Sequence, residues 1–374
     1  MRPFPRGPAN PTPAVMTLAD TSPATPPVRP DIAALDSYVP GEQPQQSGWI
    51  KLNTNENPYP ASPAAIEAIT DVIASRGLAK YPDPLANDFR RRAGEVLDVD
   101  PDWILCGNGS DDLLTILVRA FVGQGERLRM PYPSYILYRT LAGIQGARCE
   151  EVAFRRDWSL DDAFLAAREN LRLAVVPNPN SPSGTMLPAG KLLEVAEALP
   201  CPLVIDEAYV DFAEENCLQL TRQTTKVIVT RSLSKSYALA GLRFGFAVAH
   251  PSIIRQLAKV KDSYNCDTIA IAAATAAIGD TAWLEENRRR VLATRGRLEA
   301  GLDSLGFEVL PSQANFVWCT HPRQPHREIY EGLRARGILI RFMEFPVWGD
   351  GLRITVGTDE QIDACLAALA EIAA

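Results

Sequence analysis

A lysine becomes a useful nucleophilic amine when burial or a nearby cation lowers its hold on its proton. Lys235 has the setting for it. It closes Val227-Ile228-Val229-Thr230-Arg231-Ser232-Leu233-Ser234-Lys235, an apolar strand pattern ending in two hydroxyls, and Gly241-Leu242-Arg243-Phe244-Gly245 follows closely. Arg243 supplies a cation, and with Ser232 and Ser234 it forms a set suited to clamping a phosphate. A single lysine is ordinarily a solvated surface charge, and only this company argues otherwise.

Two further segments share that character. Val204-Ile205-Asp206-Glu207-Ala208-Tyr209 puts a carboxylate at the end of an apolar strand, where it needs a cationic partner. A protonated pyridine nitrogen would serve, since an aspartate opposite it keeps a pyridoxal ring an electron sink. An isolated Asp-Glu pair would read better as a helix cap or a salt bridge. Gly107-Asn108-Gly109-Ser110-Asp111 follows the apolar residues 103–106 and opens a helix whose apolar positions continue to Phe121. Backbone N–H groups and the positive helix end there favour a phosphate. Asp112 occupies the place of the third glycine of a dinucleotide fingerprint, so that reading is weak, and an ordinary strand-to-helix turn explains the segment equally well by itself.

These segments must be held by a sheet. Short apolar, β-branched-rich runs recur at 103–106, 127–130, 149–154, 171–176, 203–205, 227–230 and 244–249. Seven buried strands separated by helical stretches predict an α/β unit with a mainly parallel sheet covered by helices on both faces. Ligands of such sheets lie beyond the carboxyl ends of the strands, where the candidate residues stand. Ser62-Pro63 reads as a helix start, with Ile66, Ile69 and Ile73 as one apolar face and Gly77 as the stop. After about residue 266 the pattern changes to a long helix over 281–305 and short strands near Phe307, Phe316, Ile338 and Leu352, a smaller α+β domain. The predicted organisation is a disordered proline-rich segment 1–30, an arm 31–54, a large domain 55–265 and a small domain 266–374. Met16 is an alternative start.

The 374 residues, 46% hydrophobic and 22% charged, suffice for two cores. A net charge of −7 without a basic face excludes a nucleic-acid partner and favours a small molecule. No run is long and apolar enough for a membrane span, and no secretory signal is present, which predicts a cytoplasmic protein. Seven scattered cysteines without Cys-x-x-Cys spacing, and only three histidines, argue against disulfides and against a metal site.

The ordered motifs together resemble the fold-type-I, class-II aminotransferases, and among them the histidinol-phosphate aminotransferases. The resemblance runs through Leu52-Asn53-Thr54-Asn55-Glu56-Asn57-Pro58, Lys80-Tyr81-Pro82, Gly109-Ser110-Asp111-Asp112, Pro133-Ser134-Tyr135, Asp206-Glu207-Ala208-Tyr209, the lysine segment and Leu352-Arg353-Ile354-Thr355-Val356-Gly357-Thr358. It implies that Lys235 holds pyridoxal 5'-phosphate as a Schiff base and moves the proton, Asp206 pairs with the ring nitrogen, Tyr209 bonds the ring hydroxyl and Tyr135 stacks on the ring. It assigns the phosphate to Gly109, Ser110, Asp111, Ser232, Ser234 and Arg243, with Tyr81 arriving from the second subunit of a homodimer. Where the family reads Pro-Asn-Asn-Pro-Thr-Gly this chain has Pro179-Asn180-Ser181-Pro182-Ser183-Gly184. Asn180 or Asn178 substitutes for the missing asparagine, or Ser181 bonds more weakly. For substrate the resemblance implies Arg353 and Arg341, with Asn55, Tyr38 and Tyr264 nearby. The two tyrosines read equally well as packing at a dimer edge. The implied reaction exchanges histidinol phosphate and 2-oxoglutarate for imidazole-acetol phosphate and glutamate.

Related enzymes on the same fold, the aromatic aminotransferases and threonine-phosphate decarboxylase, share most of these motifs. Ser232-Leu233-Ser234-Lys235 is also a Ser-x-x-Lys of the serine acylases, but no Lys-Thr-Gly accompanies it.

Overall fold

A computed structural model of the chain describes residues 28–35, 41–44, 48–75 and 77–373. Most of the proline-rich lead-in, Met16 included, and Tyr38 lie outside the described residues. The strands are β1 (Ile50–Lys51), β2 (Ile104–Gly107), β3 (Arg127–Tyr132), β4 (Arg148–Ala153), β5 (Leu171–Pro177), β6 (Leu203–Asp206), β7 (Val227–Ser232), β8 (Gly245–Ala249), β9 (Glu308–Val309), β10 (Phe316–Thr320), β11 (Ile338–Leu339), β12 (Arg341–Phe345) and β13 (Gly349–Thr355).

Seven strands form the large sheet in the order β2-β8-β7-β6-β5-β3-β4. β8 runs antiparallel to β2 and β7, and the other pairs are parallel. Alternation divides the side chains between the faces. Leu173, Val175, Val204 and Ile228 pack with Leu113, Leu117 and Tyr138 on one face, while Ala174, Val176, Ile205 and Val229 pack with Leu192 and Val195 on the other. β6, β7 and β8 are therefore buried along their whole length. β4 departs from the expected buried strand. It has a single neighbour, and its Glu150 and Glu151 pair with Arg129, Arg168 and Arg139 along the sheet edge.

Two helices also depart from the pattern read in the sequence. Helix Pro63–Ala74 is capped as expected, with Ser62 accepting the Ala65 N–H at 3.1 Å. It turns Ala65 and Ile69 inward, however, and leaves Ile66 and Ile73 52% and 57% exposed. Helix Thr268–Gly279, assigned by sequence to the small domain, packs with Phe89, Phe244 and Phe246 in the core of the large sheet. Its small apolar residues lie on all sides, so its periodicity names no preferred face and two neighbouring helices approach it closely.

The second layer is the antiparallel sheet β12-β13-β10-β9, covered by helices Thr281–Ser304, His326–Ala335 and Asp359–Ala373. β1 pairs in parallel with β11, which ties the amino-terminal arm to this lobe. The hairpin between β12 and β13 reaches back to the large lobe, where Trp348 lies 5.0 Å from Trp158 and its carbonyl accepts from Arg156 at 2.8 Å. Among the described residues no helix is long and apolar enough to cross a membrane.

Gly245 lies where three strands converge. A Cβ there would stand 2.8 Å from the Arg231 carbonyl oxygen and 2.8 Å from the Ser110 nitrogen, both backbone atoms that cannot swing aside. Gly245→Ala is therefore expected to cost about 1–3 kcal/mol in urea unfolding. An unchanged midpoint would show that the turn at 109–110 yields freely.

Candidate active site

Strand register brings the chemistry together. Asp206 ends β6 and stands opposite Thr230 of β7, and the Thr230 hydroxyl donates to Asp206 Oδ1 at 3.1 Å. Alternation sends the next residue the other way. Glu207 is buried on Arg231, with Nε to Oε2 at 2.9 Å, so the Asp-Glu pair is one carboxylate for the site and one for the scaffold. Asp206 is also buried, and its Oδ2 accepts from the Tyr138 hydroxyl at 2.7 Å. Burial pushes its pKa up to about 6 against the opposing pull of these two hydroxyls, while the charge of Asp111 adds to the rise. Its side-chain partners among the described residues are neutral hydroxyls, so a cationic ring N–H suits the remaining face of the carboxylate.

Lys235 follows β7 in a turn pinned from outside the segment. Asn57 Nδ2 donates to the carbonyls of Lys235 and Ser236 at 3.0 and 3.1 Å. The lysine Nζ donates to the Thr54 carbonyl at 3.2 Å and stands 5.8 Å from the centre of the Tyr209 ring. The Tyr209 hydroxyl accepts from Asn55 Nδ2 at 3.0 Å. Asn55 is itself buried, with its Oδ1 accepting from Thr355.

The anion cradle forms where β2, β8 and β7 meet, with Gly245 opposite both Gly107 and Ser232. Gly109 has φ of 84°, and a Cβ on it would meet Arg243 Nη2 at 2.7 Å. Glycine thus lets the guanidinium lie against the amino end of helix Ser110–Phe121. Arg243 Nη1 donates to Ser234 Oγ at 3.2 Å, Nη2 lies 3.5 Å from Asp111 Oδ2, and Ser232 Oγ accepts the Ser234 N–H at 3.2 Å. Tyr135 donates to Asp111 Oδ1 at 3.3 Å. Amine, buried carboxylate and phosphate cradle therefore fit a group carrying a carbonyl, a cationic ring nitrogen and a phosphate.

The three candidates for the missing asparagine each bond within the chain. Asn180 gives its amide hydrogens to the Pro133 carbonyl and Ser183 Oγ while accepting from Ser134, so it braces two loops and has no donor left for a ring hydroxyl. Asn178 is likewise committed to the Leu187 backbone. Ser181 Oγ accepts from Arg353 Nη1 at 2.9 Å. Tyr81 and Tyr264 stack at 4.5 Å and are 80% and 48% exposed, at the surface of the single chain.

Arg353 Nη2 donates to the Asn53 carbonyl at 3.0 Å, and its guanidinium lies over Phe316. Arg341 and Arg353 are paired positions of β12 and β13, so they share a face of the small sheet. Sequence reasoning missed Tyr138, Thr230 and Asn57. Only Tyr138 left a usable signal, a second tyrosine three residues after Tyr135.

The buried carboxyl gives a pH prediction for the cofactor-free protein. With a folded-state pKa near 6 against about 4 unfolded, Asp206 adds stability below about pH 4 that disappears as the pH rises through about 6. Asp206→Asn removes this dependence. The apo variant is expected to exceed the wild type by about 1–3 kcal/mol at pH 7 in urea unfolding and to match it near pH 4. Equal stabilities at both pH values would contradict the raised value.

Comparison with known proteins agrees with this geometry. The family described as aminotransferase class I and II matches residues 47–369. The histidinol-phosphate aminotransferase of Rhodopirellula baltica is 57% identical over 339 residues, covering 90% of this chain and 93% of the relative. That of Syntrophotalea carbinolica is 44% identical over 92% of this chain and 99% of its own. Among solved structures, histidinol-phosphate aminotransferase from Sinorhizobium meliloti in complex with pyridoxal-5'-phosphate superposes with a TM-score of 0.87 at 29% identity, covering 94% of this chain and 98% of that one. The chain belongs to the class I and II aminotransferases, in the histidinol-phosphate aminotransferase family.

Proposed function

We propose that the chain is a pyridoxal-phosphate-dependent aminotransferase of histidine biosynthesis, exchanging L-histidinol phosphate and 2-oxoglutarate reversibly for imidazole-acetol phosphate and L-glutamate. The observation that carries the substrate assignment is the cross-strand pair Arg341 and Arg353. Like charges on opposed strand positions repel, and a dianion between them turns the repulsion into attraction. Histidinol phosphate brings such a dianion, and the same arginines suit the carboxylates of glutamate. A neutral aromatic side chain leaves the pair uncompensated.

When bound, pyridoxal phosphate supplies the carbonyl that takes up the substrate amine and the cationic ring that accepts the electron pair released at the substrate carbon. The chain's residues do the rest. Lys235 Nζ anchors the cofactor and, once displaced by substrate, removes and returns the proton at the carbon bearing the amine. Asp206 holds the ring nitrogen in its charged form. Tyr209 points its hydroxyl hydrogen at the ring hydroxyl, since its oxygen already accepts from Asn55. Tyr135 covers the ring face, and Gly109, Ser110, Asp111, Ser232, Ser234 and Arg243 hold the phosphate.

We place this activity in a cytoplasmic homodimer. Seven free thiols suit a reducing compartment. The exposed Tyr81 and Tyr264, with Ile66 and Ile73, suit a face covered by a second copy, from which Tyr81 would reach the neighbouring cradle. The division into an arm at 31–54, a large lobe and a small lobe fits this reading once helix Thr268–Gly279 is counted with the large lobe.

The test compares histidinol phosphate, threonine phosphate and phenylalanine as donors to 2-oxoglutarate. Wild type is expected to prefer histidinol phosphate. Arg353→Ala should lower kcat/KM about 10- to 100-fold for histidinol phosphate and much less for histidinol, the same amine without an anionic group. Equal losses for both donors would remove Arg353 from phosphate recognition. Lys235→Ala should bind the cofactor without the visible absorbance of the lysine-linked form, and an unaltered spectrum would refute its role.

A further inference from the structure

Asp206 is held by more than its strand. Its two oxygens receive the hydroxyls of Tyr138, from helix Leu137–Ile144, and Thr230, from β7. Tyr138 is 1% exposed, and that one hydroxyl bond spans 68 positions of sequence. Its ring also meets Tyr135 edge to face, at 5.6 Å and 90°. One buried side chain thus touches the acid proposed to face the cofactor's ring nitrogen and the aromatic proposed to cover the ring.

We propose that Tyr138 is a positioning residue of the reaction: its hydroxyl fixes the Asp206 carboxylate in its orientation and keeps it ionised, while its ring edge sets the plane of Tyr135. This rests on the reading of Asp206 as the partner of the ring nitrogen. A donor to a carboxylate favours the charged form, whereas burial opposes it. The groups facing Asp206 are Tyr138, Thr230, the backbone N–H of Ala208 and the charge of Asp111, with Tyr135 and Tyr209 beside Tyr138. Of these, the three hydrogen-bond donors stabilise the carboxylate and Asp111 destabilises it. Removing the 2.7 Å bond from Tyr138 leaves burial less opposed. Asp206 then takes up a proton at higher pH, and a neutral carboxyl no longer supports a cationic ring nitrogen.

The test is pyridoxal phosphate binding to the full-length apoprotein, followed by absorbance and tryptophan fluorescence from about pH 5 to about pH 8, alongside thermal unfolding of each apoprotein. The cofactor's own ionisations are common to all variants and drop out of the comparison. Tyr138→Phe keeps the ring that meets Tyr135. It should weaken binding about 3- to 10-fold at neutral pH and move the acid-side loss of affinity up by about one pH unit. Installing 3-fluorotyrosine at position 138, a stronger donor of nearly the same shape, should move that loss down, and it keeps the inference testable if the phenylalanine variant folds poorly. Asp206→Asn should remove the part of the acid-side loss that exceeds the cofactor's own ionisations. If Asp206→Asn removes that part while both position-138 variants leave it where the wild type has it, the inference about Tyr138 is overturned and Asp206 keeps its role. If Asp206→Asn leaves the wild-type profile intact, the reading of Asp206 falls and the inference falls with it.

Discussion

A carboxylate at the buried end of a central strand is the constraint around which this molecule is arranged. Water would solvate Asp206 far better than the sheet does, and burial alone raises its proton affinity. The fold answers with two hydroxyls from neighbouring elements and leaves one side of the group for a cation. That arrangement requires β6 and β7 to lie side by side with Asp206 opposite Thr230, and the same register delivers Lys235 just past the end of β7. Asp206 and Lys235 are therefore both placed by one strand pair. Asp206 could not shift by a residue without sending its side chain to the opposite face.

The anion cradle depends on a different feature, the antiparallel entry of β8. A strand running against its neighbours brings Gly245 level with Gly107 and Ser232, so the turn after β2 and the turn after β7 face each other. Only glycine at 109 and 245 allows that approach, because side chains there would strike Arg243 or the backbone. Arg243 takes a left-handed conformation, with φ of 53°, to bring its guanidinium over the turn. An orientation that looks irregular in an otherwise parallel sheet is thus what brings the two turns and Arg243 together.

Much of this was legible in the sequence, because strand ends, glycines and hydroxyls act locally. The strands of the large sheet, the turn at 107–109 and the set around Lys235 follow from patterns a few residues long. What escaped was set by distance or by ambiguity. Tyr138 bonds a residue 68 positions away, and no local pattern specifies that contact. Helix Thr268–Gly279 is apolar on all sides, so its partners are chosen by shape and not by periodicity. Ile66 and Ile73 follow a helical spacing that normally marks a core, yet they point away from this chain's own core. Asn180 and Ser181 are adjacent polar residues in one loop, and sequence alone could not tell which was turned inward.

That last pair bears on how the two lobes work together. Ser181 belongs to the large lobe and accepts from Arg353 of the small one, whose other nitrogen donates to Asn53 of the arm. Thr355, two residues further along β13, exchanges hydrogen bonds with Asn55, which in turn donates to Tyr209. At the far end of the same strand the hairpin carrying Trp348 is held by Arg156 and Trp158. β13 is thus gripped along its length by the large lobe and the arm. Ser181 is thereby committed to Arg353, while Tyr209 is braced by Asn55 beside Lys235. The small sheet consequently does more than present two arginines. It also sets the tyrosine beside Lys235, so whatever positions Arg353 also constrains the other end of the site.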